Sequence, residues 1–186
     1  MGKIKPYPLV KYICAVTVND LKLWEKVQGE LQALLSPIDL MSSWFPFIYT
    51  NYYTAEMGEH LQKRFVAFQM LRPAEALPSI KVATNIIEET ISGGSQRSVN
   101  LDPGYVTAAR LVLATTKDYS HRLYLGQGIF GDVHLRYRNK QFEPMEWTYP
   151  DYREPFARAF FVQVRDQYLQ QLGEIGEQEL WENTRR

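Results

Sequence analysis

Residues 9–18, LVKYICAVTV, form a run rich in β-branched and aromatic side chains, which is typical of a buried strand. From residue 21 to residue 34 apolar side chains recur at helical spacing, which predicts a helix that Pro37 ends. The next segments continue the alternation: a strand at 38–45, a strand at 64–71, a helix at 77–91 and a short strand at about 97–101. This order of elements predicts a ferredoxin-like βαββαβ core.

The second half of the chain adds β structure and a closing helix. Three further strands are predicted, at 111–115, 122–125 and 133–138. A terminal helix is predicted from about 154 to 172, and a weakly ordered tail over about 174–186. A chain of 186 residues can bury a core of its own. We therefore predict a single α+β domain over 1–186, with an extra C-terminal β-hairpin and a terminal helix.

Composition excludes several classes of protein. The 21 basic residues are balanced by 21 acidic ones, which argues against a domain that mainly binds nucleic acid through its phosphates. Cys14 is the only cysteine, so it cannot form an intrachain disulfide and fits a reducing compartment. No apolar window approaches 18 residues, and the first residues do not resemble a signal segment. These features predict a cytoplasmic protein that does not associate with membranes.

A dense polar stretch occupies residues 115–128, TTKDYSHRLYLGQG. Lys117 and His121 lie four residues apart, as do Asp118 and Arg122, so a helical turn would pair each couple. We expect Lys117 and Arg122 to bind a phosphate or carboxylate, and His121 to serve as a general acid or base beside Asp118. The alternative is a charged turn in which Arg122 forms an ion pair with Asp118.

Residues 99–105, VNLDPGY, combine a turn signal with a candidate site carboxylate. Asp-Pro-Gly predicts a turn, because proline presets φ and glycine permits a positive φ. Asp102 follows a predicted strand and is the second candidate catalytic residue, although aspartate is also the ordinary first residue of such a turn. Tyr105 is a candidate ligand-binding residue.

An aromatic segment at 44–58, WFPFIYTNYYTAEMG, contains six aromatic side chains followed by an acid. Tyr52 and Tyr53 are candidates for stacking on a base or a sugar. The alternative is that these rings cover the mouth of the core, where a tyrosine gains burial and keeps a hydrated hydroxyl.

Asp132 and His134 lie two residues apart, so they would share one face of a strand. With His121 they could make a His-His-Asp metal set, but a solvated strand face is favoured and no metal ligand is assigned. The phosphate-loop, dinucleotide-binding and paired-cysteine metal motifs do not occur. The sequence therefore identifies no cofactor.

Several of these segments resemble a known family. The matching pieces are YT, YY and EMG within 49–58, NLDPGY at 100–105, TKD and HRLYL within 116–125, and WTYPDY at 147–152. They are similar to those of bacterial and archaeal proteins of about this length, known only as a domain of unknown function. The resemblance implies no established activity. The matching pieces contain polar residues that core packing would not require, namely Asp102, Lys117, His121, Arg122 and Asp151. Asp151 and Asp118 are further candidate ligand-binding residues.

These observations predict a domain that binds, and could act on, an anionic small molecule such as a nucleotide or a phosphorylated metabolite. Whether it is an enzyme stays open, as does its oligomeric state. The alternative is a non-catalytic protein-interaction or assembly module, and the third reading is an RNA-associated protein. The first of these functions requires four segments to converge on one pocket: the polar stretch, NLDPGY, the aromatic segment and WTYPDY.

Overall fold

The first apolar run of the chain forms strand β1, Val10–Val18, which is buried along its whole length. The computed structural model describes residues 9–50, 54–93 and 96–183. Alternate side chains of β1 enter two separate hydrophobic clusters, with Tyr12 and Cys14 in one and Ile13 and Ala15 in the other. β1 is therefore a central strand covered on both faces, as its near-continuous apolar character indicates.

The strands of the described residues form one antiparallel sheet. The strands after β1 are β2 (Ile38–Met41), β3 (Phe45–Pro46), β4 (Gln62–Arg72), β5 (Val99–Val106), β6 (Arg110–Thr115), β7 (Leu123–Gly126), β8 (Ile129–Arg138) and β9 (Gln141–Pro144). Their order across the sheet is β2-β4-β1-β5-β6-β8-β7, with β3 beside β4 and β9 beside β8.

Helices cover both faces of this sheet. They are α1 (Trp24–Leu34), α2 (Thr54–Met57), α3 (Leu77–Ser92), α4 (Pro150–Arg153) and α5 (Pro155–Asn183). α1 and α3 pack against one face, whereas α4 and α5 pack against the other.

The α+β class is confirmed. α5 continues through residue 174, where the sequence indicates the start of a tail. None of the described helices is long and apolar enough to cross a membrane.

Capping residues account for the start of α1 and the end of α3. The Asp20 side chain accepts a hydrogen bond from the Lys22 amide, which caps a short 3-10 turn that leads into α1. Gly93 ends α3 with a φ of 63°, a left-handed conformation that glycine adopts without a steric penalty.

The turn expected at Asp102-Pro103-Gly104 is wrong, because these residues lie inside β5 and pair with β1. The neighbouring strand β6 pairs with β5 only from Gly104 onward. Pro103 therefore lies in the part of β5 that has no β6 neighbour. At this position the amide proton that proline lacks is not needed for a hydrogen bond to β6. A Cβ atom on Gly104 would lie 2.2 Å from the Val112 carbonyl oxygen, so close strand approach accounts for the glycine.

The strand expected at 38–45 is also divided, into β2 and β3. Ser42 lies between them. Its amide donates to the Phe65 carbonyl, and its hydroxyl accepts from the Phe65 amide in place of a backbone partner. A serine side chain thus competes with the regular ladder and interrupts the strand.

Candidate functional site

A cavity of about 430 Å³ lies on the face of the sheet covered by α4, next to the point where β6 leaves β5. Five segments of the chain line it. Its polar and aromatic lining includes Lys63 from β4, Asp102 from β5, Lys117, Tyr119 and Arg122 from the β6–β7 connection, Tyr49 from the segment after β3, and Tyr149 and Asp151 at the start of α4. Segments distant in sequence thus meet at one concave surface.

Arg122 forms one wall of the cavity and is held in place by protein groups. Its Nε donates to Asp132 at 3.0 Å, and its terminal nitrogens donate to the Lys117 carbonyl at 2.9 Å and the Tyr149 hydroxyl at 3.3 Å. The guanidinium also lies over the Tyr119 ring, 4.6 Å from its centroid. The expected helical turn and the Asp118–Arg122 ion pair are therefore wrong: Asp118 is exposed, and a buried carboxylate ten residues away pairs with Arg122.

Asp132 and His134 form a buried layer behind Arg122, so the solvated strand face expected for them is wrong. The Tyr149 amide donates to His134 Nε2, which leaves Nδ1 to donate to Asp132 Oδ1 at 2.5 Å. The rings of Tyr149 and Tyr152 cover the imidazole, with centroids 4.4 and 5.4 Å away. The WTYPDY segment thus closes over this face.

The electrostatics of this layer favour an ionised Asp132. Burial alone would raise the pKa of Asp132, but hydrogen bonds from His134 and Arg122 and the charge of Arg122 lower it below its ordinary value. In the same region burial raises the pKa of Tyr149 to about 12. The Tyr149 hydroxyl therefore keeps its proton at neutral pH, and it can donate to a ligand while it accepts from Arg122.

Lys63 and Asp151 form a buried ion pair at the cavity. Their Nζ and Oδ2 atoms are 2.7 Å apart, and the side chains are 3% and 2% exposed. The ammonium also lies over the Phe47 ring, 4.6 Å from its centroid. Lys63 was not predicted from the sequence, because it lies just before the strand expected at 64–71 and between two polar residues, Gln62 and Arg64, a pattern that does not indicate burial.

Asp102 is the carboxylate that β5 presents to the cavity. Its Oδ2 accepts from the Asn100 amide nitrogen at 2.7 Å, and its Oδ1 lies 3.6 Å from the ammonium of Lys81, a residue of α3. Burial would raise the pKa of Asp102, but the charges of Lys81 and Lys63 and the Asn100 hydrogen bond lower it. Asp102 is therefore ionised at neutral pH.

The structure brings together four of the residues singled out from the sequence. Asp102, Lys117, Arg122 and Asp151 line the cavity. Tyr105 does not, because it packs against Tyr12 on the opposite face of the sheet.

His121 lies behind the cavity wall, and Asp118 is exposed outside the lining. The His121 ring stacks on Trp147 at 4.9 Å, and its Nε2 is 3.8 Å from Asp132 Oδ2. Tyr52 and Tyr53 lie outside the described residues. Of the two catalytic candidates, Asp102 thus borders the cavity, whereas His121 faces the buried carboxylate behind it.

The cavity carries a small excess of positive charge. Lys63, Lys117 and Arg122 supply three positive charges against the two negative charges of Asp102 and Asp151, a balance of +1. Across the described residues no group of three or more histidine, cysteine, aspartate or glutamate side chains is arranged to hold a metal ion. The arrangement can therefore bind an anion through charge-assisted hydrogen bonds.

Comparison with known proteins places the chain in a family. No curated protein and no solved structure matches it significantly. A family described as a domain of unknown function, DUF4416, matches residues 8–168, which include every described residue of the cavity lining. The match covers most of the chain and agrees with the resemblance seen in its motifs. The chain is therefore a member of the DUF4416 family.

Proposed function

We propose that the cavity binds an anionic small molecule, of the class of phosphorylated metabolites and nucleotides. The observation that carries this proposal is the meeting of three cationic side chains, Lys63, Lys117 and Arg122, from three separate segments at one aromatic-walled cavity. A site built from convergent polar groups on an aromatic surface is the usual form of a small-molecule site.

The state of Arg122 supports an anion as the ligand. A guanidinium has five N–H groups, and three of them donate to Asp132, the Lys117 carbonyl and Tyr149. Two therefore remain without a hydrogen-bond partner among the described residues. Because the other three fix the plane of the group, the free pair is pre-organised for a phosphate or carboxylate, and little side-chain entropy is lost on binding.

The first test compares Lys117→Gln with the matched control Lys26→Gln. Lys117 is exposed at the rim of the cavity, whereas Lys26 is an exposed lysine of α1 on the other face of the sheet. Calorimetry with inorganic phosphate, pyrophosphate and sugar phosphates measures affinity. We expect Lys117→Gln to weaken binding about tenfold, the loss of one charge-assisted hydrogen bond, and Lys26→Gln to leave it unchanged.

Binding in the wild type should also be visible as stabilisation. A ligand at about 100 times its dissociation constant should raise the free energy of unfolding by about 2.7 kcal/mol. If none of these anions stabilises the wild type, or if both lysine variants bind as the wild type does, the cavity is not an anion site.

The second candidate is an assembly module, and it is favoured by the free edge of the sheet. β7 ends the strand order, and its Leu123, Tyr124 and Leu125 are 74%, 64% and 41% exposed. An uncharged apolar edge strand is a ready template for pairing with another chain. Light scattering tests this candidate. It is favoured if the wild type is a stable oligomer, if Leu123→Lys dissociates that oligomer and if Lys117→Gln leaves it intact.

Three further proposals concern the fold, the location and a third function. The order β2-β4-β1-β5, with α1 and α3 on one face, supports a ferredoxin-like core for the first half of the chain. Cytoplasmic localisation is supported by the free, buried Cys14, whose pKa burial raises. An RNA-associated role ranks third, and binding to RNA that weakens steeply with added salt would revive it.

A further inference from the structure

The hydrogen-bonding groups of the cavity are divided between a donor wall and a mixed floor. The wall contains Lys117 and the two N–H groups of Arg122 that have no hydrogen-bond partner in the described part of the chain. The floor contains Asp102, Asp151 and Lys63. A ligand that fills the cavity therefore meets cations at one end and carboxylates at the other.

Both floor carboxylates keep acceptor capacity. Within the described part of the chain Asp102 accepts one hydrogen bond, from Asn100, and has a more distant contact with Lys81; its side chain is 19% exposed. Asp151 has an ion-pair contact with Lys63, although Oδ2 makes no hydrogen bond of good geometry among the described residues. An ionised carboxylate offers about four lone-pair sites. The floor can therefore accept hydrogen bonds from a ligand.

The charge of the floor indicates which donors it accepts. Asp102 and Asp151 are balanced by Lys63 of the floor and by Lys81, which is not part of the cavity lining but lies 3.6 Å from Asp102, so this group of four side chains has no net charge. A second phosphate would be repelled by the carboxylates, and an ammonium group would meet two lysines. Hydroxyl groups are neutral, donate to carboxylates and accept from Lys63. The floor is thus matched to hydroxyl groups.

We propose that the ligand is a phosphorylated polyol, with its phosphate on Arg122 and Lys117 and its hydroxyl groups on Asp102, Asp151 and Lys63. This inference rests on the proposed function and adds the chemical class of the ligand. The volume of about 430 Å³ agrees with it, because it lies toward the small end of the range for small-molecule sites and suits a single sugar phosphate. The aromatic walls, Tyr49 among them, offer faces for the C–H surface of a sugar.

The test is calorimetry with ribose 5-phosphate, 2-deoxyribose 5-phosphate, glucose 6-phosphate, glucosamine 6-phosphate, inorganic phosphate and free ribose. On the wild type, we expect at least one of the two neutral-sugar phosphates to bind at least tenfold more tightly than inorganic phosphate. 2-Deoxyribose 5-phosphate, which lacks one hydroxyl group, should bind more weakly than ribose 5-phosphate. Free ribose should bind more weakly than ribose 5-phosphate. These comparisons need no variant and so do not depend on the folding of one.

The variant Asp102→Asn tests whether the hydroxyl groups of the ligand bind at the floor of the cavity. It should weaken sugar-phosphate binding about tenfold and leave inorganic phosphate binding unchanged or tighter, because it removes a negative charge. The matched control is Asp39→Asn, which removes the carboxylate 2.6 Å from another buried lysine, Lys11, outside the cavity. This control should change neither affinity.

The outcomes separate the two proposals. If inorganic phosphate binds and the sugar phosphates bind no more tightly, the polyol assignment is wrong and the anion site stands. If glucosamine 6-phosphate binds more tightly than glucose 6-phosphate, the floor binds an amine and not hydroxyl groups, and the polyol assignment is wrong. If no phosphate compound binds, both proposals fail.

Discussion

Asp132→Ala is expected to lower the free energy of unfolding by about 3–5 kcal/mol, the usual effect of removing one partner of a buried ion pair. The carboxylate is 2% exposed and receives hydrogen bonds from Arg122 and His134. Its loss leaves the guanidinium of Arg122 buried without its counter-charge and His134 Nδ1 without its acceptor. Urea unfolding at pH 7 measures the change.

The control for this prediction is Asp118→Ala. Asp118 is exposed and lies in the same polar stretch as Arg122, at the spacing that suggested their pairing. Its replacement should change the free energy of unfolding by less than about 0.5 kcal/mol. A large effect at Asp118 and a small one at Asp132 would mean that Arg122 pairs as the helical spacing suggests.

The effect of Asp132 should also depend on pH. Its folded pKa lies below the ordinary value of 3.8, so its stabilising contribution is fully present above that value. The contribution is lost as pH falls through the lower folded pKa. The gap in stability between wild type and Asp132→Ala should therefore be widest near neutral pH and narrow below about pH 4. A gap of the same size at pH 7 and pH 2 would show that the charge of Asp132 does not stabilise the fold.

Elements whose burial follows from local periodicity are the part of the fold that the sequence predicts well. β1, α1 and α3 bury faces whose spacing is visible in the chain itself. The Asp-Pro-Gly prediction fails for the opposite reason. Local turn propensity at 102–104 is overridden by pairing with β1, and a distant strand, β6, makes the glycine necessary.

The site shows a similar limit. The two-residue period correctly places Asp132 and His134 on one face, but it contains no information on whether that face is covered. The cover comes from Tyr149 and Tyr152, whose position depends on the path of the chain after β9. Lys63 was missed because its partner, Asp151, lies 88 positions further along the sequence, and nothing local to either residue indicates the pair.

Lys63→Met is expected to lower the free energy of unfolding by about 3–5 kcal/mol and to weaken sugar-phosphate binding about tenfold, because a hydroxyl group of the ligand loses its charged donor. Methionine keeps much of the apolar stem but leaves Asp151 buried beside the cavity without its counter-charge. The control is Lys11→Met, which breaks a comparable pair with Asp39 away from the cavity. It should also destabilise the fold, because Lys11 is fully buried, but it should leave sugar-phosphate binding intact.

The double variant Lys63→Met/Asp151→Asn separates stability from binding. Removing the uncompensated charge should restore part of the lost stability, because a neutral amide is less costly to bury than a carboxylate. Sugar-phosphate binding should stay weak, since the ammonium donor is still absent. Urea unfolding and calorimetry with ribose 5-phosphate measure the two effects on the same samples. If the double variant regains stability and sugar-phosphate binding together, Lys63 acts by neutralising Asp151 and not as a hydrogen-bond donor to the ligand.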